Sequence, residues 1–187
     1  MSLFEEAVKF ALNAHQGMQR KTENIPYILH PLEAAVIAAA MTDDVEVLAA
    51  AVLHDTVEDT SATLEDIREN FGERVAWLVA SETEEKRPDL PASESWKIRK
   101  EESLEELRNT DDPSVKILWM GDKLSNLRSL YKSWIEKGDL IWQSFNQKDP
   151  SQHAWYYRQI ESILSDFKDS APWQELHWII KQIFDGK

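Results

Sequence analysis

Apolar residues recur three and four positions apart along nearly the whole chain, which is the spacing that places them on one face of an α-helix. Alternation of apolar and polar residues, the pattern of a half-buried strand, is scarce, and the sequence holds only five glycines. The pattern therefore predicts an all-α fold, a compact bundle of about nine helices. We place these helices at residues 3–15, 31–41, 44–54, 63–70, 73–83, 96–108, 113–135, 150–167 and 172–184, each end to within about two to four residues.

Several predicted helices begin at side chains that can cap a first turn. Some pair a serine or threonine with an acidic residue three positions later, and others have an aspartate directly before a proline. These sites are Ser2 with Glu5, Thr63 with Asp66, Asp112 with Pro113, and Asp149 with Pro150. The segments 16–29, 82–94 and 137–148 hold three of the seven prolines and many unpatterned polar residues, and they are predicted loops, of which the first two are long enough to shape a site.

The length and composition are those of an ordinary globular domain. With 187 residues, of which 42% are hydrophobic and 29% are charged, we expect a single domain over residues 1–187. The absence of cysteine excludes disulfides and thiolate ligands, so any metal must take nitrogen and oxygen ligands. The chain start lacks a secretion signal and no apolar run is long enough to span a bilayer, so we expect a cytoplasmic protein with no membrane partner.

The charge of the chain limits its partners. A formal net charge of -13 repels the phosphate backbone of DNA or RNA and argues against a nucleic-acid partner. A small anionic ligand is still compatible with this charge if the binding site is locally positive. Arg20 and Lys21 in a predicted loop, and Lys97, Arg99 and Lys100 in a predicted helix, could supply that local charge.

One predicted helix ends in an unusual group of titratable residues. The segment Val45–Leu53 is almost wholly apolar, yet it is followed at once by His54 and Asp55, and one turn later by Glu58 and Asp59. Titratable groups next to a core are tolerated only when they are paired or bound to a cation. A divalent metal would satisfy several of these four side chains at once.

Two further residues suggest the rest of a metal site. Asp122 interrupts the apolar stripe of the helix that starts at Pro113, and Asn126 lies on the same face one turn later. His30 stands directly before Pro31, which disfavours helical backbone at the histidine and puts it at the start of the next helix. Taken alone, Asp122 also fits an ion-paired aspartate and His30 a packed core histidine.

Taken together, these residues favour a metal-dependent hydrolase. His30, His54, Asp55 and Asp122 offer two imidazoles and two carboxylates, a mixed set suited to manganese, iron, zinc or magnesium. An ion held in this way lowers the pKa of water and neutralises a phosphate oxygen, so that phosphorus can be attacked near neutral pH. We therefore predict a divalent metal site made of these four residues.

The sequence resembles the HD-domain phosphohydrolases, and among them the RelA/SpoT-type alarmone hydrolases, especially the small free-standing form represented by the metazoan SpoT homologue. The resemblance covers most of the chain, and its most specific segments run from Leu53 to Thr60 and from Gly121 to Arg128. The other matching segments are Ala14–Gly17, Arg20–Lys21, Pro26–Ile28, His30–Pro31 and Phe71–Gly72.

The resemblance implies roles for individual residues. The four proposed ligands would bind the metal, which the family suggests is manganese, and Glu58 and Asp59 would act beside the attacking water. The implied substrate contacts are Arg20, Lys21, Lys97 and Asn126. The sequence departs from the family at two places: the run from Thr22 to Ile25 lacks the glycine that usually follows the Arg-Lys pair, and Ser129 replaces a threonine. Both departures concern nucleotide recognition and not the metal ligands.

The resemblance also implies the reaction, which is hydrolysis of the 3′-pyrophosphate of guanosine tetra- or pentaphosphate with release of pyrophosphate. One alternative keeps metal-dependent hydrolysis but changes the substrate to a deoxynucleoside monophosphate or NADPH. Another is a silent nucleotide-binding domain, against which the intact Glu58 and Asp59 argue. Synthesis of the alarmone is not expected, because no further segment follows the last predicted helix. Exposed tryptophans near the C-terminus could serve a homo-oligomer interface.

Overall fold

A computed structural model describes residues 2–20, 23–84, 86–87 and 89–185. Over these residues the predicted all-α fold is confirmed, and the only extended pairing is an isolated bridge between Gln19 and Pro26. The α-helices in chain order are α1 (Leu3–Ala14), α2 (Leu29–Ala39), α3 (Val45–Leu53), α4 (Thr56–Asp59), α5 (Leu64–Phe71), α6 (Glu73–Ala80), α7 (Ala92–Asn109), α8 (Pro113–Lys137), α9 (Pro150–Ile163) and α10 (Ala171–Phe184). Two 3₁₀ segments, Gly138–Ser144 and Leu164–Phe167, follow α8 and α9.

All nine predicted helices have a counterpart in this fold, and their predicted caps are confirmed. Side-chain oxygens of Ser2, Thr63, Asp112 and Asp149 accept hydrogen bonds from backbone N–H groups in the first turns of α1, α5, α8 and α9. The helix that the sequence did not predict is α4. It is a single turn of four residues, which is too short for a helical period to be recognised.

The start of α2 corrects one prediction. We expected His30 to have an extended backbone before Pro31, but α2 begins at Leu29 and already includes the histidine. A proline in the first turn of a helix removes an N–H that has no intrahelical partner, so the helix loses no hydrogen bond. The preference of a residue before proline for extended backbone is overridden here, and His30 projects from the first turn of α2.

The apolar helix α3 lies in the core and brings its C-terminal residues to the functional site. It packs against α1, α2, α6 and α8, and six of its nine residues are buried. Leu53, its last residue, is fully buried, and the chain continues directly into His54 and Asp55. Burial of α3 therefore fixes the position of the titratable pair.

A close contact between α2 and α8 sets the distance between two other parts of the site. Gly121 of α8 faces the backbone of Ala34 in α2, and a Cβ atom at position 121 would lie 2.6 Å from the carbonyl oxygen of Ala34. Only glycine allows two backbones to approach this closely. The contact holds His30 on α2 next to Asp122 on α8.

Candidate metal centre and catalytic cleft

The structure brings together the four residues that the sequence proposed as metal ligands. His30 Nε2 lies 3.0 Å from Asp122 Oδ1 and 3.3 Å from Asp55 Oδ2. His54 Nε2 lies 3.2 Å from Asp55 Oδ2 and 3.5 Å from Asp122 Oδ1. Both histidines and Asp122 are buried, with 3–4% of their surface exposed, so this is an interior cluster at the base of a cleft.

A hydrogen-bond relay fixes the tautomer of His30. Its Nδ1 lies 2.8 Å from the hydroxyl oxygen of Ser125, and that hydroxyl donates its single hydrogen to Glu33 Oε2 at 2.7 Å. Because the serine hydroxyl has already given its hydrogen to Glu33, it accepts one from Nδ1 of the imidazole. The lone pair of the neutral imidazole is therefore on Nε2, which faces the two aspartates.

His54 has the same tautomer for a different reason. Its Nδ1 lies 2.8 Å from the carbonyl oxygen of Ala51, which can only accept a hydrogen bond. Nδ1 therefore carries the hydrogen, and Nε2 of the neutral ring presents a lone pair. Within the described residues, this buried Nε2 has no hydrogen-bond partner, although two carboxylate oxygens lie close to it.

This arrangement fits a divalent cation. Ligand atoms about 2.0–2.2 Å from an ion lie about 3.0–3.5 Å from one another, which is the range of the four separations above. Two imidazole lone pairs and two carboxylates repel one another unless a positive charge lies between them. The atoms that would bind the ion are Nε2 of His30, Nε2 of His54, Oδ2 of Asp55 and Oδ1 of Asp122.

The pKa shifts also indicate that this cluster of side chains is stabilised by a positive charge. Burial alone lowers the pKa of His54, but the neighbouring carboxylates of Asp55 and Asp122 raise it well above its ordinary value. Burial raises the pKa of Asp55, yet the adjacent His54 and His30 hold it well below its ordinary value. Burial likewise raises the pKa of Asp122, but Lys123, His30 and His54 hold it well below its ordinary value, so both aspartates are ionised and available as ligands near neutral pH.

Two neighbours on α8 orient Asp122. Lys123 donates to Oδ2 of Asp122, and the side-chain amide of Asn126 donates to Oδ1 at 2.5 Å. Lys123 is itself buried, 3.3 Å from Oε1 of Glu82. Burial raises the pKa of Glu82 to about 7, with Lys123 opposing the rise. Neither Lys123 nor Glu82 was proposed as a site residue from the sequence, and both line the cleft.

The proposed catalytic pair lines the same cleft but the two carboxylates have different surroundings. Asp59 accepts hydrogen bonds from Lys86 at 2.8 Å and from the hydroxyl of Tyr27 at 3.0 Å. Among the described residues Glu58 accepts one long hydrogen bond, of 3.4 Å from the backbone N–H of Glu84, and its Oε1 lies 4.0 Å from the ammonium of Lys86. Burial raises the pKa of Glu58, and the negative charge of Glu84 raises it further. Glu58 is therefore the better placed of the two to exchange a proton near neutral pH.

The hydroxyl of Tyr27 connects the ligand group with the catalytic pair. It lies 2.7 Å from Oδ2 of Asp55 and 3.0 Å from Oδ2 of Asp59. The ring packs between His15 and His30, with centroid distances of 4.9 and 6.0 Å. Tyr27 belongs to a segment that matched the family, but no role was predicted for its hydroxyl.

The predicted substrate contacts have three different outcomes. Arg20 donates to the side-chain oxygen of Asn126 at 3.0 Å, so these two lie together beside Asp122. Lys21 lies outside the described residues. Lys97 is not among the residues lining the cleft: its ammonium group lies over the ring of Trp155, 2.9 Å from the ring centre.

The chain belongs to the HD-domain family, whose pattern it matches over residues 7–147. It is 41% identical over 128 residues to the guanosine-3′,5′-bis(diphosphate) 3′-pyrophosphohydrolase MESH1 of Mus musculus, a match covering 67% of this chain and 68% of the mouse protein. It is 39% identical over 133 residues to the Aquifex aeolicus protein of the same activity name, covering 71% of this chain but only 18% of that protein. The resemblance drawn from the motifs is thus confirmed.

Solved structures agree with this assignment. The chain superposes on the structure described as a metazoan ortholog of SpoT that hydrolyses ppGpp, with a TM-score of 0.75, 26% identity and coverage of 97% of this chain and 96% of the other. A Listeria monocytogenes protein matches with a TM-score of 0.72 and 35% identity, over 83% of this chain and 99% of that one. An HD domain and the buried His30, His54 and Asp122 cluster together imply a divalent metal.

Among the described residues, no helix combines the length and the apolar character needed to cross a bilayer.

Proposed function

We propose that this protein hydrolyses the 3′-pyrophosphate group of guanosine 3′,5′-bis(diphosphate), or of the corresponding pentaphosphate, and releases pyrophosphate. The observation that carries the proposal is the meeting of two imidazole Nε2 atoms and two carboxylates, 3.0–3.5 Å apart, beside the acidic pair Glu58 and Asp59. The chemistry of such a group of side chains suits phosphate hydrolysis. In addition, the relatives named for this reaction include proteins matched over two thirds of their length.

Under this proposal His30, His54, Asp55 and Asp122 hold one divalent ion. Manganese is the metal we propose, and iron, zinc and magnesium are the other ions that this mixed ligand set accepts. When bound, the ion supplies Lewis-acid activation of water and neutralises charge on the phosphate group. Binding the substrate, orienting it and moving the proton are left to the side chains of the protein. A chain without cysteine is suited to work in the reducing cytoplasm, where we place it.

Glu58 is the proton acceptor in this proposal. The oxygen of water attacks the phosphorus bonded to the ribose 3′ oxygen, and one proton of that water passes to Glu58. The bond between phosphorus and the 3′ oxygen breaks, pyrophosphate leaves, and Glu58 returns the proton to the 3′ oxygen. A raised pKa suits both steps, because the same group must accept and then release a proton. Asp59, held by Lys86 and Tyr27, has the orienting role.

Arg20 and Asn126 are the proposed substrate contacts nearest to Asp122. The guanidinium of Arg20 is braced by the Asn126 side chain at 3.0 Å and lies 5.8 Å from the centre of the Tyr27 ring. A braced guanidinium offers two parallel N–H donors to a phosphate, which positions the substrate with little loss of side-chain freedom. Lys21 and Lys97 remain predictions from the sequence.

Release of pyrophosphate tests the proposal directly. Purified protein with Mn²⁺ should convert guanosine tetraphosphate to GDP and pyrophosphate, and His54→Ala or Asp122→Ala should abolish the reaction. The matched control is His177→Ala, because His177 pairs with Glu161 away from the cleft lining. This control should keep wild-type turnover.

Three outcomes would contradict the proposal. Normal turnover by His54→Ala would remove the metal centre from the mechanism. Release of orthophosphate from a deoxynucleoside monophosphate or from NADPH, without turnover of the guanosine polyphosphate, would keep the enzyme class but change the substrate. Tight binding of the nucleotide without turnover in any of the four metals would indicate a silent binding domain.

A further inference from the structure

The cleft contains more negative than positive side chains, although its proposed substrate is a polyphosphate. Six carboxylates of the described residues line it, and they are Asp55, Glu58, Asp59, Glu82, Glu84 and Asp122. Among the described residues three cationic side chains line it, and they are Arg99, Lys100 and Lys123. A multiply charged anion enters such a cleft only where cations are placed to receive it. The free donors of these three side chains, together with Arg20, which is not one of these lining residues, therefore determine where phosphate groups can bind.

Lys123 is not available for a phosphate group. It is 8% exposed, its ammonium group donates to Asp122, and it lies 3.3 Å from Glu82 and 4.4 Å from the centre of the Trp119 ring. All of these contacts of the Lys123 ammonium group are with other side chains of the protein. Arg99 and Lys100 are the two remaining cations of the cleft lining, and their side chains are 16% and 18% exposed.

Glu84 holds Arg99 and Lys100 side by side. Its Oε2 accepts from Nη1 of Arg99 at 2.8 Å, and its Oε1 accepts from the ammonium of Lys100 at 2.5 Å. Because one carboxylate pairs with two cations, Glu84, Arg99 and Lys100 together keep a net positive charge. Burial raises the pKa of Glu84, but Lys100, Lys123 and Arg99 bring it below its ordinary value, so the carboxylate is ionised.

Both cations keep donors that the protein does not use. In the described structure Arg99 bonds to Glu84 through Nη1 alone, which leaves its Nε and Nη2 hydrogens for a ligand. Lys100 uses one of its three N–H groups on Glu84, and its ammonium lies 4.9 Å from the centre of the Tyr156 ring. The pair is therefore fixed in place but still able to donate.

This pair is separate from Arg20. Arg20 contacts Asn126 and Tyr27, whereas Arg99 and Lys100 both contact Glu84, and among the described side chains these two groups have different partners. The proposed substrate carries two diphosphate groups on different ribose oxygens. Two separate cationic positions match two separate diphosphate groups.

We propose that Arg99 and Lys100, positioned by Glu84, form a second phosphate-binding position of the cleft that takes one diphosphate group of the substrate. The proposal rests on the proposed function, because it concerns the same substrate. It also differs from the sequence prediction for this region, which chose Lys97. That lysine lies over Trp155 and is absent from the cleft lining.

Binding of the two halves of the substrate tests this proposal without requiring turnover. Equilibrium dialysis with excess Mn²⁺ would measure the affinity of the wild-type protein for labelled inorganic pyrophosphate and for labelled GDP. Arg99→Gln and Lys100→Met should each weaken binding of one of these ligands about tenfold or more, the effect of losing a charge-assisted hydrogen bond. Arg99→Lys should recover part of the affinity, because it restores the charge.

The control is Arg108→Gln, which removes one positive charge from the same helix at a residue paired with Gln159. It should change neither affinity by more than about twofold, a threshold well below the tenfold effect above. Loss confined to pyrophosphate would identify the position of the 3′-diphosphate, and loss confined to GDP would identify that of the 5′-diphosphate.

The proposal is overturned if both variants bind both ligands like the wild type, or if the wild type binds neither. Metal content and circular dichroism of each variant show whether the fold is kept, and Arg99→Lys provides a second route if Arg99→Gln does not fold. Lack of turnover of guanosine tetraphosphate by the wild type would refute the proposed function, but the binding result would still decide the role of Arg99 and Lys100.

Discussion

The contact between Gly121 and Ala34 provides a sharp test of how the fold controls the site. Replacing Gly121 by alanine in the middle of a helix should by itself stabilise the protein by about 0.5–1 kcal/mol, since alanine is the better helix former. The new Cβ, however, would lie 2.6 Å from the Ala34 carbonyl oxygen. That oxygen belongs to the backbone of α2 and cannot rotate away.

The geometry gives the size of the effect. An ordinary contact would be at least about 3.4 Å, so relieving the 2.6 Å contact separates α2 from α8 by roughly 0.8 Å. Overpacking of this kind costs about 1–3 kcal/mol, which exceeds the gain in helix propensity. At the midpoints of these two ranges the net loss is about 1 kcal/mol, which corresponds to a fall in Tm of roughly 2–4 °C for a chain of this length. The distance between His30 and Asp122 then increases by more than about 0.2 Å, which is the deviation that a metal site tolerates.

Differential scanning calorimetry and a manganese titration would measure both consequences. Gly121→Ala should lower Tm in the metal-free protein and weaken Mn²⁺ binding by about tenfold or more, as changes beside metal ligands do. Glu136→Ala, on the exposed side of α8, serves as the control for helix propensity and should leave metal affinity unchanged. A Gly121→Ala protein with a higher Tm and normal manganese affinity would refute this reasoning.

Two further predictions concern residues that the sequence did not assign. Tyr27→Phe removes the hydroxyl that contacts Asp55 and Asp59, so manganese affinity or kcat should fall about 10–100-fold while circular dichroism stays normal; unchanged values for both would exclude a positioning role. Lys123→Met leaves Asp122 and Glu82 buried without their counter-charge, which should cost about 3–5 kcal/mol in metal-free protein. Mn²⁺ should raise the Tm of this variant more than that of the wild type, and equal shifts in thermal unfolding would contradict the account.

The sequence predicted the parts of this protein that depend on local rules. Helix starts at Ser2 and Thr63 could be recognised because capping follows from side chains only three residues apart. The apolar run of α3 followed by His54 and Asp55 indicated a charged group at the edge of a core, and this group needs a cation wherever the helix lies.

The sequence did not predict contacts that depend on tertiary packing. Lys123 follows Asp122 directly, and neighbours in a helix ordinarily face different directions, so their pairing was unexpected. Glu82 was expected in a loop, with nothing to place it beside that lysine. The choice of Lys97 over Arg99 and Lys100 failed to match the cleft lining because the face that α7 turns toward the cleft is set by its packing against α9.

One departure from the family pattern has a local explanation. The turn after Arg20 lacks the usual glycine, and Asn24 takes the left-handed conformation there, with φ of 60°. Asparagine tolerates this region better than most residues. The turn still closes, since the N–H of Arg20 donates to the carbonyl of Ile25 at 2.9 Å and that of Asn24 to the carbonyl of Arg20 at 3.2 Å. The turn therefore forms without the glycine, and Arg20 stays in position to reach the site.

The orientation of His30 depends on three helices and not only on its own. Its Nδ1 donates to Ser125 of α8, whose hydroxyl donates to Glu33 of α2. Arg128 bonds to Glu33 at 3.0 Å and to both oxygens of Glu175 on α10 at 2.7 and 2.6 Å. Without Arg128, Glu33 would lose its charged partner, and the serine would no longer have a fixed acceptor for its hydrogen. Because α10 lies beyond the matched residues 7–147, this helix supports a proposed metal ligand from outside the family pattern.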